Sequence, residues 1–290
     1  MLTADKWKDY ALIDMARGEK LEDWGGIYVI RPDPQIVWDK PGFKPAEKRW
    51  EEAHMRYIRS KSGGGGWEFF KRVPDKWEIG YGNLRFVIRP TDFKHMGLFP
   101  EQAVNWDWIA PLIANRVSEG KPARILNIFA YTGGATVAAA KAGAVVTHVD
   151  SSKGATAWAK QNAAVSGVGE KNLRFITEDA VKFVNRELRR KNGYEAVIMD
   201  PPKYGRGADG ELWKIEDKLF ELVKSCAALL SDSPLFFLIN SYSGFSAAVL
   251  QNILEIIFPG KSRGIECGEL GLKCENGLLL PCGIYGRLLT

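Results

Sequence analysis

Arg124-Ile125-Leu126-Asn127-Ile128-Phe129-Ala130-Tyr131-Thr132-Gly133-Gly134-Ala135-Thr136 decides the fold. An apolar run of strand length ends at two adjacent glycines, and a helical stretch follows, so a strand hands over to a helix through a tight turn. The same alternation continues downstream. Apolar runs recur at Val145–Val149, Leu173–Ile176, Ala196–Met199 and Leu235–Ile239, with helical stretches between them. The clearest helix carries Leu212, Ile215, Leu219, Leu222, Val223, Cys226, Leu229 and Leu230 at three- and four-residue intervals. Ala248–Phe258 is another, stopped by Pro259-Gly260. Short, near-continuous apolar strands alternating with helices mean a parallel sheet covered on both faces. Two more extended runs, Gly264–Leu272 and Gly283–Leu289, are joined by too short a linker for a helical crossover and are expected to pair antiparallel. The expectation is an α/β, Rossmann-like domain with a mainly parallel seven-stranded sheet.

Towards the N-terminus the texture changes. Residues 1 to about 105 hold six of the ten Trp residues and four short extended runs: Ile27–Ile30, Gln35–Trp38, Trp67–Phe70 and Leu84–Ile88. Pro32, Pro34, Pro74 and Pro90 bound them, as in a small, mostly antiparallel β region. The expected division is a β-rich domain over 1–105, available for substrate recognition, and an α/β domain over 106–290. The run Gly63-Gly64-Gly65-Gly66 lacks the Lys-Ser/Thr pair of a phosphate loop and precedes a strand, so it reads as a hairpin connection.

Bulk properties exclude more than they assign. A formal net charge of +5 permits a nucleic-acid partner without demanding one. No run of eighteen apolar residues exists to span a membrane. Met1–Lys20 lacks the apolar core of a signal peptide, so a cytoplasmic location is expected. Cys226, Cys267, Cys274 and Cys282 form no CxxC pair and no zinc spacing. They read as packing thiols, and no metal is expected.

In an open parallel sheet, ligands bind beyond the carboxyl ends of the strands where the strand order reverses. Four strand ends therefore matter. The first is followed by the Ala130–Thr136 turn, the second by Asp150-Ser151-Ser152-Lys153, the third by Glu178-Asp179-Ala180, and the fourth by Asp200-Pro201-Pro202-Lys203-Tyr204. Gly133 and Gly134 let backbone approach a ligand and open a helix whose first N–H groups attract an anion. Asp150, about twenty residues on, suits two ribose hydroxyls. Asp179 is placed to accept from an adenine amino group. An acidic residue at a strand end also serves as a helix N-cap, and that alternative stands beside the ligand reading. Asp-Pro-Pro is the most specific of the four. Two prolines hold extended backbone without N–H donors and present the Asp side chain and nearby carbonyls to a planar nitrogen nucleophile.

Leu126–Gly134, Thr147-His148-Val149-Asp150 and Asp200–Tyr204 together resemble the class I S-adenosylmethionine-dependent methyltransferases, in particular the group that includes the 23S ribosomal RNA large-subunit methyltransferases. Phe93-Lys94-His95-Met96-Gly97-Leu98-Phe99-Pro100-Glu101-Gln102 resembles the segment that precedes the catalytic domain in that group and reaches back to the cofactor. The similarity covers roughly residues 90–290. It implies S-adenosyl-L-methionine as cofactor, with its methionine carboxylate at the glycine turn. It also implies a site lined by Phe129, Ala130, Tyr131, Thr132, Gly133, Gly134, Asp150, Ser151, Glu178, Asp179, Ala180 and Asp200, closed by Phe99 and Gln102. The chain departs from cytosine C5 methyltransferases of that group. Their Ser-Cys-Ser stretch after the fifth strand is here Ser241-Tyr242-Ser243-Gly244, and no Cys adjoins Asp200. The N-terminal region also does not resemble their usual RNA-binding module.

These residues lead to an expectation of nucleobase N-methylation in RNA, without a covalent cysteine. Asp200, Pro201, Pro202, Lys203 and Tyr204 form the acceptor side: Tyr204 stacks on an extruded base, and Lys203 and Arg206 engage a phosphate. Arg56, Arg59, Lys61, Lys71 and Arg72 interleave with Tyr57, Trp67, Phe69 and Phe70, which suits single-stranded nucleic acid or, equally, a solvated strand face over a Trp-rich core. The run Arg186, Arg189, Arg190, Lys191 reads as a helix C-terminus favoured by the dipole. A small-molecule or protein methyltransferase, a nicotinamide-dependent oxidoreductase and a non-catalytic RNA-binding protein are the alternatives; the missing third glycine and Asp-Pro-Pro speak against the oxidoreductase.

Overall fold

The computed structural model describes residues 1–39, 44–60, 64–206, 212–242 and 244–290. Lys61, Gly63, Ser243 and the side chain of Arg206, all named above, lie outside the described residues. The chain divides into two compact units, one of Met1–Leu2, Val104–Leu270 and Cys282–Thr290, the other of Thr3–Ala103 and Gly271–Pro281. The segment Gly271–Pro281, within the stretch assigned by sequence to the α/β domain, thus groups with the N-terminal unit.

The larger unit is built on strands β1 (Arg124–Ile128), β2 (Val145–Asp150), β3 (Leu173–Thr177), β4 (Ala196–Met199), β5 (Phe236–Ser241), β6 (Ile265–Lys273) and β7 (Leu279–Leu289). Their order across the sheet is β6-β7-β5-β4-β1-β2-β3, and Leu2–Thr3 adds a two-residue eighth strand beside β6. The first five strands pair parallel, and β7 lies antiparallel to β5. Helices α1 (Ala103–Ser118), α2 (Gly134–Lys141), α3 (Lys153–Val165), α4 (Ala180–Arg189), α5 (Ile215–Ala227) and α6 (Ala247–Ile257) make the connections. Because successive strand residues face opposite ways, each strand feeds two cores. Leu126, Ile128, Val197, Met199, Phe237 and Ile239 pack with Phe183 of α4, Leu222 of α5 and Leu250 of α6. Ile125, Ala196, Ile198, Phe236 and Leu238 pack on the other face with Ile109 and Ile113 of α1 and Ala139 of α2.

The periodic run from Leu212 does not start as a helix. Leu212–Lys214 is a strand paired antiparallel with Tyr204–Arg206, and α5 begins at Ile215. The three-residue spacing of Leu212 and Ile215 mimics helical periodicity across that junction.

In the other unit, strands Tyr10–Ala16, Glu19–Trp24, Tyr28–Pro32, Met55–Arg59 and Gly65–Phe69 form a five-stranded sheet in that order. All neighbours are antiparallel except Tyr28–Pro32 with Met55–Arg59, a parallel pair whose crossover contains helix Lys44–Glu51. Trp77–Tyr81 and Leu84–Ile88 form a separate hairpin. Gln35–Trp38 is not a strand. Asp33 folds the chain into a turn, its carbonyl accepting from Ile36 N at 3.2 Å and its side chain from Gln35 N at 3.2 Å. Two of the four glycines also belong to a strand rather than to the connection: a Cβ on Gly65 would collide with the Ile58 carbonyl and the Tyr57 ring.

Candidate active site

Register brings the loops of the larger unit to one level. Ile128 of β1 sits opposite Val149 of β2 and Met199 of β4, Val149 opposite Ile176, and Met199 opposite Ile239. Phe129, Asp150 and Asp200 are therefore each the next residue beyond one row of paired strands. β2 and β4 flank β1 on opposite sides, so the strand order reverses here, which is where an open sheet leaves a crevice.

The turn after β1 is strained. Phe129 and Tyr131 hold φ of 52° and 48°, left-handed values that cost a non-glycine residue about 1–3 kcal/mol each and persist only when neighbours fix them. Ala130 N donates to Val149 O at 3.1 Å, and Tyr131 N donates to Asp150 Oδ2 at 2.8 Å. Gly133, with φ of 81°, caps α2. A Cβ there would lie 2.9 Å from the Ala159 Cβ, so only glycine fits. Gly134 opens the helix, whose first-turn N–H groups lack intrahelical partners. From below, Asn162 Nδ2 donates to Thr132 O at 2.8 Å.

Asp150 is not a helix cap. Its Oδ2 takes the Tyr131 N–H and its Oδ1 the Ser152 N–H, both at 2.8 Å, while Ser152 itself caps α3 through Ala155 N. Burial pushes the Asp150 carboxyl up, and the two backbone bonds oppose that shift. A carboxylate offers about four acceptor positions, so each oxygen keeps one for a further donor. Ser151 beside it is exposed. The capping alternative holds instead for Asp179, whose Oδ1 accepts from Lys182 N at 2.9 Å to start α4. Glu178 forms an ion pair with Arg186, whose guanidinium lies 5.1 Å from the Phe183 ring centre, and Glu178 N donates to Asp150 O at 3.1 Å. Ala180 is buried at the first turn of α4. Arg190 sits 3.6 Å from Glu187, so two cations of the basic run pair within or beside their own helix.

Beyond β4, Asp200 is half-buried and Pro201 buried, while Pro202, Lys203 and Tyr204 are exposed, Tyr204 at 54%. Trp213 holds this loop. Its Nε1 donates to Pro202 O at 2.6 Å and its ring centre lies 5.2 Å from that of Phe129. Phe99 and Gln102 belong to the other unit, where Gln102 N donates to Phe99 O at 3.0 Å around the 3-10 turn Pro100–Gln102.

Two features escaped the sequence reading. One is Trp213. The other is a buried polar chain beneath the turn: Asn127 Nδ2 donates to Thr136 Oγ1 at 2.9 Å, and the Thr136 hydroxyl in turn serves His148 Nδ1 at 2.9 Å. Burial lowers His148 to about 3, so its ring is neutral and shares a single proton's worth of hydrogen bonding with that hydroxyl, in a direction set by the tautomer. The signal was present as single polar residues, Asn127 and His148, inside otherwise apolar strands.

The crevice suits an adenosyl cofactor with a charged tail: a glycine-capped helix start for a carboxylate, a half-buried carboxylate for a ribose, and a second acidic strand end beside it. Comparisons with known proteins point to the same cofactor. The family model for S-adenosylmethionine-dependent methyltransferases matches residues 53–233. The crystal structure of an S-adenosylmethionine-dependent methyltransferase from Agrobacterium tumefaciens superposes with a TM-score of 0.90 at 34% identity, covering 98% of this chain and 91% of that one. Ribosomal RNA large subunit methyltransferase K/L of Allochromatium vinosum is 30% identical over 206 residues, 68% of this chain and 27% of that protein. Its counterpart in Syntrophotalea carbinolica is 27% identical over 193 residues, 66% of this chain and 26% of that protein. The chain thus spans about a quarter of the length of these curated relatives. With the family model covering more than half of it, this chain belongs to the S-adenosylmethionine-dependent methyltransferases.

Proposed function

We propose that the enzyme methylates a nucleobase nitrogen in RNA, without a covalent cysteine intermediate. The observation that carries the reading is the loop after β4: Asp200 at the crevice, a Pro-Pro backbone behind it, and exposed Lys203 and Tyr204 beyond, with no thiol among them. C5 methylation of a pyrimidine requires a thiolate to add to the ring, and a nitrogen does not. Burial pushes Cys226 far up and holds Cys267 and Cys274 at about 11, so these three are thiols rather than nucleophiles at neutral pH.

When bound, S-adenosylmethionine supplies a methyl carbon on sulfonium sulfur, which a nitrogen lone pair displaces while the carbon–sulfur electrons return to sulfur. The protein's residues align the partners, and alignment is the main source of acceleration. The α2 N-terminus would hold the methionine carboxylate, Asp150 the ribose hydroxyls, and Asp179 the adenine amino group with the oxygen not used for capping. Phe129, Ala130, Tyr131 and Thr132 line the cofactor. Asp200 accepts an amino hydrogen of the base, orients the lone pair and receives the proton released on transfer. Tyr204 stacks on the extruded base and Lys203 meets a phosphate.

The ribosomal RNA methyltransferase relatives favour RNA as acceptor. In the N-terminal unit the basic and aromatic residues are divided. Arg56 is committed to Glu19 and Tyr57 is buried, whereas Phe69 and Phe70 are exposed and suit base stacking. RNA from cells lacking the protein, methylated in vitro and digested to nucleosides, tests the reading by mass spectrometry. An N-methyl nucleoside is the expected product; a C5-methylpyrimidine overturns the reading.

A further inference from the structure

Trp213 touches both sides of the crevice. Its ring packs on Phe129 with centroids 5.2 Å apart at an interplanar angle of 50°, and its indole N–H donates to Pro202 O. Phe129 is the first residue beyond β1 and sits in strained left-handed backbone, so its position depends on what packs against it. Pro201 and Pro202 have no N–H to donate, which leaves the Pro202 carbonyl as a handle on the acceptor loop. The same corner is closed by Ile215 N donating to Lys203 O at 3.1 Å and by Gly205 pairing opposite Trp213. Trp213 is only 8% exposed, so the donor side of its bond to Pro202 is buried while Pro202 itself is exposed.

We propose that Trp213 is a positioning residue that couples the cofactor loop to the acceptor loop, so that filling the cofactor site orders Asp200–Tyr204 before the base arrives. The inference rests on the cofactor-site reading above. A ligand that fixes the Phe129 turn fixes the surface on which the indole lies, and the indole holds the acceptor loop through one hydrogen bond. Linkage makes the effect reciprocal: an ordered acceptor loop favours the cofactor.

The test is hydrogen exchange by mass spectrometry on the full chain, with S-adenosylhomocysteine as the probe. In the wild type the probe slows exchange at residues 129–134 and also at 203–205. Trp213→Phe keeps a ring against Phe129 and removes the donor to Pro202. The expected result is affinity lowered by up to about tenfold, the reciprocal of the lost coupling, with protection under saturating probe retained at 129–134 and reduced about tenfold at 203–205, as removal of one hydrogen bond allows. Trp213→His, which retains a ring N–H, is expected to restore part of that protection and serves if the Phe variant folds poorly. Wild-type protection at 203–205 in Trp213→Phe overturns the coupling. So does loss of protection at both loops under saturating probe, which assigns Trp213 to packing alone. If the probe protects nothing at 129–134 in the wild type, the cofactor-site reading itself fails, and the coupling with it.

Discussion

Replacing Asp150 by Asn should weaken cofactor binding far more than its near-identical size suggests. The carboxylate accepts from Tyr131 N on one oxygen and Ser152 N on the other, which leaves each oxygen a position for the ribose hydroxyl proposed to bind there. Asn has a single acceptor oxygen, and its amide turns a donor towards one of the two backbone N–H groups. At least one charge-assisted bond to the ligand is lost, about 1.5–3 kcal/mol, or roughly 10- to 150-fold in Kd. The orphaned backbone N–H costs a further 1–3 kcal/mol or so of stability, and it falls on the strained turn at Tyr131. Calorimetric titration with S-adenosylhomocysteine reads the first effect and thermal melting the second. Burial raises the Asp150 carboxyl, so wild-type affinity should fall as pH drops through that raised value, because the protonated group no longer accepts at both oxygens. The Asn variant should lack this pH dependence. An Asp150→Asn protein that binds within threefold of wild type, with the same pH profile, refutes the assignment.

Gly133→Ala forces a side chain into left-handed backbone and against Ala159, so it should cost about 2 kcal/mol or more and weaken S-adenosylhomocysteine binding; denaturant melts and titration check both. Thr136→Val keeps the shape but leaves Asn127 and His148 without their partner, and a loss of about 1–3 kcal/mol is expected, with Thr136→Ser largely restoring it. In the N-terminal unit burial pushes Glu22 up, but Arg31, bound to both its oxygens, and Lys20 hold it down to about 2. Its contribution to stability is therefore present above the unfolded value near 4.3 and lost as pH falls from there towards about 2, a window that Glu22→Gln should abolish along with about 3–5 kcal/mol. A variant with Cys226→Ala, Cys267→Ser, Cys274→Ala and Cys282→Ser, if it folds, should retain methyl transfer per folded molecule; complete loss in a folded protein contradicts the cysteine-free chemistry.

The α/β half was legible because both faces of its sheet are buried, so strands such as Ala196-Val197-Ile198-Met199 appear as unbroken apolar runs that break where chemistry begins. The left-handed backbone at Phe129 and Tyr131 was not legible, since nothing in a non-glycine side chain announces it. The role of Trp213 was hidden because Leu212 and Ile215 happen to continue the helical spacing of α5 backwards into a strand. Strands Tyr10–Ala16 and Glu19–Trp24 were missed because each carries a charged residue into the interior: Asp14, which accepts from Trp50 Nε1, and Glu22, which is satisfied by Arg31 and Tyr10. Their junction at Arg17-Gly18, both with positive φ, was the available hairpin signal. The competition between ligand and cap at the acidic strand ends needed the structure, which makes Asp179 a cap and leaves Asp150 bridging two loops.

The most direct measurement is transfer of labelled methyl groups from S-adenosylmethionine into RNA from cells lacking this protein, with DNA, protein and small-molecule fractions alongside and Asp200→Asn as the paired variant. Label is expected in RNA with the wild type and at least a hundredfold less with Asp200→Asn, on the order of what removing a general acid–base group costs. Unlabelled RNA beside a labelled protein or small-molecule fraction would contradict it, as would undiminished transfer by Asp200→Asn.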